Sequence, residues 1–181
     1  VDILLVSLYV WNKNISLAVA KEIKTINPDM LVIMGGPSVP NDASEFMIEH
    51  NYIDICVHQE GEQTVLEIVD MLPNNNYSDI QGLSFRDDNG IIHNTGIRDR
   101  IRDFSLIPSP YLSGFFDELI EIVGDSHSWL ASWESNRGCP FACTYCDWGS
   151  ATNSKVTRIE LERAFEELDW FARHKIEFIF V

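Results

Sequence analysis

Runs of consecutive apolar residues alternate along this chain with stretches in which apolar residues return every three or four positions. Residues 2–8 (DILLVSL), 30–34 (MLVIM) and 53–57 (IDICV) are short, apolar and rich in β-branched residues, which is the pattern of buried strands. Between the first two, Val19, Ala20, Ile23 and Ile26 share a helical face within residues 15–26. Asn27-Pro28 ends that helix, because proline cannot continue it. Residues 43–50 predict a short helix. Residues 61–72 (GEQTVLEIVDML) predict a longer one with Val65, Leu66, Val69 and Leu72 on one side. Strands alternating with helices predict a parallel sheet covered on both faces.

The pattern then changes. Residues 74–79 form a polar break, and residues 82–94 predict a small hairpin turning at Asp88-Asn89-Gly90. Residues 107–112 (IPSPYL) read as a proline-stiffened linker, and residues 114–123 as a short helix. A second α/β unit opens near Trp129, where residues 128–136 (SWLASWESN) enter as a strand. Thr157-x-x-Glu160 has the spacing of a capping box. Leu161, Ala164, Phe165, Leu168, Phe171 and Ala172 share a face of the helix after it, and residues 176–181 (IEFIFV) are the next strand. The expected division is residues 1–75, a linker with a small hairpin over 76–128, and a second unit over 129–181.

Composition narrows the classes of function. Of 181 residues, 45% are hydrophobic and 23% charged, a globular rather than a disordered balance. The net charge of −15 repels phosphate backbones, which argues against nucleic acid as a partner. No apolar run approaches the roughly 18 residues a membrane span needs, and no signal peptide is visible, so the expectation is a cytoplasmic protein. Both ends fall inside apolar runs, which suggests part of a longer chain.

The chemistry is concentrated in residues 135–149 (SNRGCPFACTYCDWG), where three of the four cysteines stand as C-x₃-C-x₂-C. Clustered thiolates bind zinc or iron–sulfur, and a structural zinc site wants four closed ligands. The fourth cysteine, Cys56, lies far upstream in a predicted strand and reads as a small buried apolar residue. A [4Fe–4S] cube also takes four cysteines as a rule, so three leave one iron open to another ligand. A zinc knuckle completed by Asp147 or a histidine remains the alternative. Gly138 and Pro140 shape the turn around the first cysteine, and Tyr145 can shield a cluster or face a ligand. Arg137 either balances charge there or makes a surface salt bridge, and Trp148 can pack over the site.

Three loops leave the predicted carboxyl ends of the first strands: residues 7–12 (SLYVWN), 35–39 (GGPSV) and 58–64 (HQEGEQT). Open α/β sheets bind ligands at that edge. Taken singly each has a plain reading, a turn for Gly-Gly-Pro and a helix start for Glu60-Gly61-Glu62. His58 reads as a cofactor contact or as a satisfied histidine.

The cysteine loop, with an aromatic residue before its last cysteine, resembles the radical S-adenosylmethionine (SAM) superfamily. Together with the three upstream loops it is similar to the subgroup that carries a cobalamin (B12)-binding domain ahead of the radical SAM barrel. The resemblance covers Val1 to about Leu72 and Trp129 to Val181. It implies a Rossmann-like, doubly wound cobalamin-binding domain followed by the first β/α units of a radical SAM (β/α) barrel. It implies that Cys139, Cys143 and Cys146 hold a [4Fe–4S] cluster whose open iron is chelated by SAM, with Tyr145 beside it. It also implies cobalamin contacts from Ser7, Gly35, Gly36, Pro37, Glu60 and Gly61. Tyr9 or Trp11 would face the lower side of cobalt, with core packing as the alternative. The D-x-H-x-x-G motif that ligates cobalt in many cobalamin proteins is absent, and the region where it would stand is expected to precede Val1.

The implied reaction is reductive cleavage of SAM to a 5′-deoxyadenosyl radical, hydrogen abstraction from an unactivated carbon, and methylation of that carbon from methylcobalamin. The implied partners are a small-molecule or peptide substrate and an electron donor such as flavodoxin or ferredoxin. A non-methylating cyclisation or rearrangement is the second reading, and a non-catalytic zinc- or cofactor-binding module the third. The further β/α units and SAM contacts would lie beyond Val181.

Overall fold

A computed structural model describes residues 2–124, 127–141, 143–145 and 156–181, and the chain separates into two units, Val1–Arg100 and Ile101–Val181. In the first unit the three apolar runs become β1 (Ile3–Ser7), β2 (Leu31–Gly35) and β3 (Ile55–Val57), which pair in parallel in that order. Helices α1 (Lys13–Ile26) and α2 (Ser44–Glu49) make the crossovers, and α3 (Glu62–Met71) follows β3. The expected hairpin forms as β4 (Leu83–Arg86) and β5 (Ile92–Asn94), and it extends this sheet. β4 pairs antiparallel with β3, and β5 with β4, so the sheet is mixed and not parallel throughout. A hairpin can pair directly, whereas a parallel neighbour needs a crossover connection.

The pleat explains why these strands read as unbroken apolar runs. Val32, Met34 and Cys56 point to one face, where they pack with Leu17 and Ala20 of α1 and Phe46 and Met47 of α2. Ile33, Ile55 and Val57 point to the other, against Ile68 of α3, Tyr77, Ile80 and Phe85. Each fully buried aliphatic side chain contributes about 1.5–3 kcal/mol, so these two layers hold the sheet and isolated surface ion pairs do not.

Two helix faces of this first unit differ from the expected ones. On α1 the buried residues are Leu17 and Ala20, while Val19 and Ile26 are exposed. Lys24 shares the inner side because its ammonium donates to the Met30 carbonyl at 2.6 Å and to Asp54 Oδ2 at 2.7 Å. Asp54 Oδ2 also accepts the Val32 amide at 2.8 Å, so this one carboxylate ties α1 to the amino end of the sheet. On α3 the buried residues are Thr64 and Ile68, while Leu66 and Val69 are exposed. Thr64 goes inward because its hydroxyl donates to the Gln81 carbonyl at 3.0 Å.

The second unit holds α4 (Asp117–Val123), β6 (Leu130–Ser132), β7 (Asn136–Arg137), β8 (Thr157–Arg158), α5 (Leu161–Arg173) and β9 (Phe178–Phe180). β6 pairs in parallel with β9, and β7 pairs antiparallel with β8. The capping box is not formed: Thr157 lies in β8, and Glu160 is itself the residue that opens α5, without a side-chain cap. The buried face of α5 is Glu167, Trp170 and Phe171, whereas Leu161, Phe165 and Leu168 are exposed. Glu167 is only 2% exposed and is fully engaged. It accepts from Trp133 Nε1 at 2.5 Å and from Arg163 Nε at 2.9 Å, and Arg163 donates onward to the carbonyls of Phe104 and Ile107. Tyr111 packs on Trp170 and Phe171, and Trp170 Nε1 donates to Asp117 at 3.1 Å. Among the described residues no helix is long and apolar enough to cross a membrane.

Candidate cofactor site

Parallel pairing sets Ser7 opposite Gly35, so the loops after β1 and β2 leave the same edge of the sheet. β3 runs parallel beside β2, and Val57 packs against Gly35, which places the third loop on that edge too. This edge gathers Ser7, Tyr9, Trp11, Gly35, Gly36, Pro37, Glu60 and Gly61 within one unit.

Asn12 builds the first loop. Its Oδ1 accepts the Tyr9 amide at 2.8 Å, and its Nδ2 donates to the Ser7 carbonyl at 3.0 Å, so the side chain folds back across the loop instead of capping α1. Tyr9 and Trp11 stack with centroids 4.6 Å apart and planes 14° from parallel. Trp11 is 76% exposed, so core packing does not account for it. The sequence pointed to this loop but not to Asn12, whose role depends on the backbone it spans.

The second loop is pressed onto the first. The Leu8 amide donates to the Gly35 carbonyl at 2.7 Å, and the Ser38 amide donates to the Leu8 carbonyl at 3.1 Å. Gly36 has φ of 97°, and a Cβ there would stand 2.8 Å from the Leu8 carbonyl oxygen. Only glycine meets both demands. Gly35 differs: its nearest neighbour for a Cβ is Val57 Cβ at 3.8 Å, an ordinary contact, so the fold itself leaves room for a side chain there.

The third loop is anchored to the hairpin. The His58 amide donates to the Gly82 carbonyl at 2.8 Å, and His58 Nε2 hydrogen-bonds to Ser84 Oγ at 2.9 Å. His58 is 2% exposed, and burial pushes its pKa below the ordinary imidazole value, with the Asp42 carboxylate acting in the opposite direction. Glu60 is paired with Arg100, Nε to Oε1 at 3.2 Å. Arg100 lies 40 positions away, and nothing in the local sequence pattern singles it out. Cys56, in β3 beneath this edge, is buried, and desolvation pushes its thiol up to about 12.

The cysteine loop belongs to the second unit. Gly138, with φ of 109°, turns the chain out of β7 into Cys139. Cys139 is half-buried, Cys143 is exposed and Tyr145 is 90% exposed. Cys146, Asp147 and Trp148 lie outside the described residues. Arg137 is held by Glu134 at 2.8 and 2.7 Å and lies over the Phe104 ring at 5.2 Å. Among the described residues no group of three or more His, Cys, Asp or Glu is set to hold a metal ion.

The first edge has the features a large planar cofactor needs: a stacked aromatic pair with Trp11 exposed and Tyr9 half-buried, a glycine the fold does not itself require, and three loops locked to one another or to the hairpin. Residues 1–69 match the B12 binding domain family. The chain is 38% identical to 2-(S-pantetheinyl)-carbapenam-3-carboxylate methyltransferase of Streptantibioticus cattleyicolor, over 99% of this chain and 27% of that protein. It is 37% identical, over the same shares, to the cobalamin-dependent radical SAM methyltransferase TokK of Streptomyces tokunonensis. Among solved structures, the cobalamin-dependent SAM radical enzyme OxsB with aqua-cobalamin and SAM bound aligns with a TM-score of 0.68 at 19% identity, over 96% of this chain and 23% of that one, which is a likeness of fold. The chain thus spans about a quarter of the length of the curated relatives it matches. It is a relative of the cobalamin-dependent radical SAM methyltransferases, with the B12 binding domain over residues 1–69.

Proposed function

We propose that this chain serves a cobalamin-dependent radical SAM methyltransferase acting on an unactivated carbon, and that it contributes the cobalamin site and the cluster loop. The observation that carries the reading is the presence, in one chain, of the B12 binding domain match and the C-x₃-C-x₂-C loop. Bound cobalamin supplies a transferable methyl group, and a [4Fe–4S] cluster with SAM supplies the radical that activates the carbon.

The chain's own residues bind and orient. Tyr9 and Trp11 offer a flat apolar surface to the corrin face. Gly35, Gly36 and Pro37 let the backbone approach the cofactor closely, and the loop of Glu60 and Gly61 closes the third side. Cys139, Cys143 and Cys146 are the cluster ligands and Tyr145 flanks them. With no fourth cysteine near this loop in the sequence, these residues would leave SAM room to complete the cluster's ligand set. Residues 129–181 open a radical SAM (β/α) barrel whose further units lie outside this chain. A small-molecule substrate is supported by the similarity to 2-(S-pantetheinyl)-carbapenam-3-carboxylate methyltransferase, and a peptide substrate is the alternative. A flavodoxin or ferredoxin supplies the electron, and the setting is the cytoplasm.

A second reading has a specific observation behind it: the chain is 26% identical, over 77% of its length, to the anaerobic magnesium-protoporphyrin IX monomethyl ester cyclase of Cereibacter sphaeroides. A cyclisation or rearrangement would therefore also suit this arrangement of loops. Product analysis of the full-length enzyme with SAM, cobalamin and a reductant separates the two. Methylation gives 5′-deoxyadenosine and S-adenosylhomocysteine together. 5′-Deoxyadenosine without S-adenosylhomocysteine supports the cyclase-like reading, and neither product contradicts both.

A further inference from the structure

The loop after β3 is held from outside its own β/α unit. Gln59 has φ of 56°, a left-handed backbone that non-glycine residues seldom adopt, and its side chain is exposed, so neighbours must hold the conformation. Two pairs do so. His58 is fixed to the hairpin through Gly82 and Ser84. Glu60 is fixed to Arg100, with the two side chains only 15% and 14% exposed. Arg98, two positions earlier, has different targets: it donates to Thr64 Oγ1 at 3.1 Å and to Glu67 Oε1 at 3.1 Å, both on α3, and to the Gln81 carbonyl at 3.2 Å, just ahead of β4. The same strip of chain therefore carries one arginine that braces the helix and one that braces the loop.

We propose that Arg100 is a positioning residue for the cofactor: it fixes the Glu60 carboxylate, and through it residues 58–61, in the conformation that receives cobalamin. This rests on the reading of that loop as a cobalamin contact. A carboxylate held by a guanidinium at a partly buried site cannot swing away, so the loop meets its ligand without first being ordered.

The test is titration of the full-length protein with hydroxocobalamin, read by absorbance, together with amide hydrogen exchange of residues 58–61 in the cobalamin-free protein. Arg100→Gln is expected to raise the Kd about tenfold and to speed exchange in the loop, the size expected for one charge-assisted hydrogen bond. Arg100→Lys restores most of the affinity, and Glu60→Gln reproduces the loss from the acid side. Arg98→Gln lowers the thermal midpoint but leaves the Kd within about twofold, because its bonds end on α3 and on the Gln81 carbonyl and none reaches residues 58–61. Equal effects of Arg98→Gln and Arg100→Gln on the Kd, or an Arg100→Gln protein with unchanged affinity and unchanged exchange, overturn the proposal while the cobalamin reading stands. Failure of the unaltered protein to bind hydroxocobalamin overturns that reading and this proposal with it.

Discussion

Two adjacent glycines at the end of β2 answer to different requirements. Gly36 has a backbone and a surrounding that only glycine satisfies, so Gly36→Ala is expected to cost about 2–3 kcal/mol, measured by denaturant unfolding. Gly35→Ala is expected to change stability by less than about 1 kcal/mol and to weaken cobalamin binding, because a Cβ there meets Val57 only at ordinary contact distance, 3.8 Å from its Cβ and 3.9 Å from its carbonyl oxygen. Equal losses of stability in the two variants would mean that both glycines serve the fold alone. The cysteines divide in the same way. Burial raises the Cys56 thiol to about 12, above its ordinary value of 9.0, so it stays protonated and shielded at neutral pH. In protein free of iron and sulfide, Cys143 and then Cys139 are expected to react with a maleimide in the native state, and Cys56 only after unfolding. Peptide mapping of the labelled protein checks this order.

The elements themselves were largely legible: β1, β2, β3 and α3 stand within two residues of where the apolar pattern placed them, because continuous apolar runs and turn residues are local signals. Helix faces were less legible. Lys24 and Thr64 turn inward and Glu167 is buried, each because it meets a specific partner from a distant segment, and a hydrophobicity pattern carries no record of such partners. For the same reason the three loops could be read from their glycines and aromatics, while Asn12 and Arg100 could not. The polar anchors have measurable consequences. Glu167→Ala leaves the Arg163 guanidinium without its carboxylate and should cost about 2–4 kcal/mol in denaturant unfolding, somewhat below the range for a wholly buried pair because Arg163 is partly exposed. His58 has its pKa lowered in the folded state, so its contribution is present above the ordinary imidazole pKa of 6.5 and is lost as pH falls from there through the folded value. Thermal unfolding between pH 7 and 5 should show this loss, and His58→Gln should flatten it.

At the scale of the molecule, the chain joins a mixed α/β unit with three loops on one sheet edge to a second unit that presents a cysteine loop after a short strand. Each unit is held by its own network: apolar layers and the Lys24–Asp54 tie in the first, Glu167 and its aromatic neighbours in the second. That separation suits the proposed role, in which bound cofactors would carry the reaction and the chain would hold them still. The most direct test is metal analysis of the full-length protein, prepared anaerobically and reconstituted with iron, sulfide and hydroxocobalamin. About four iron and one cobalt per chain are expected, with the iron lost when Cys139, Cys143 and Cys146 are replaced by alanine and the cobalt retained. Zinc in place of iron, or iron unaffected by those replacements, would contradict this expectation.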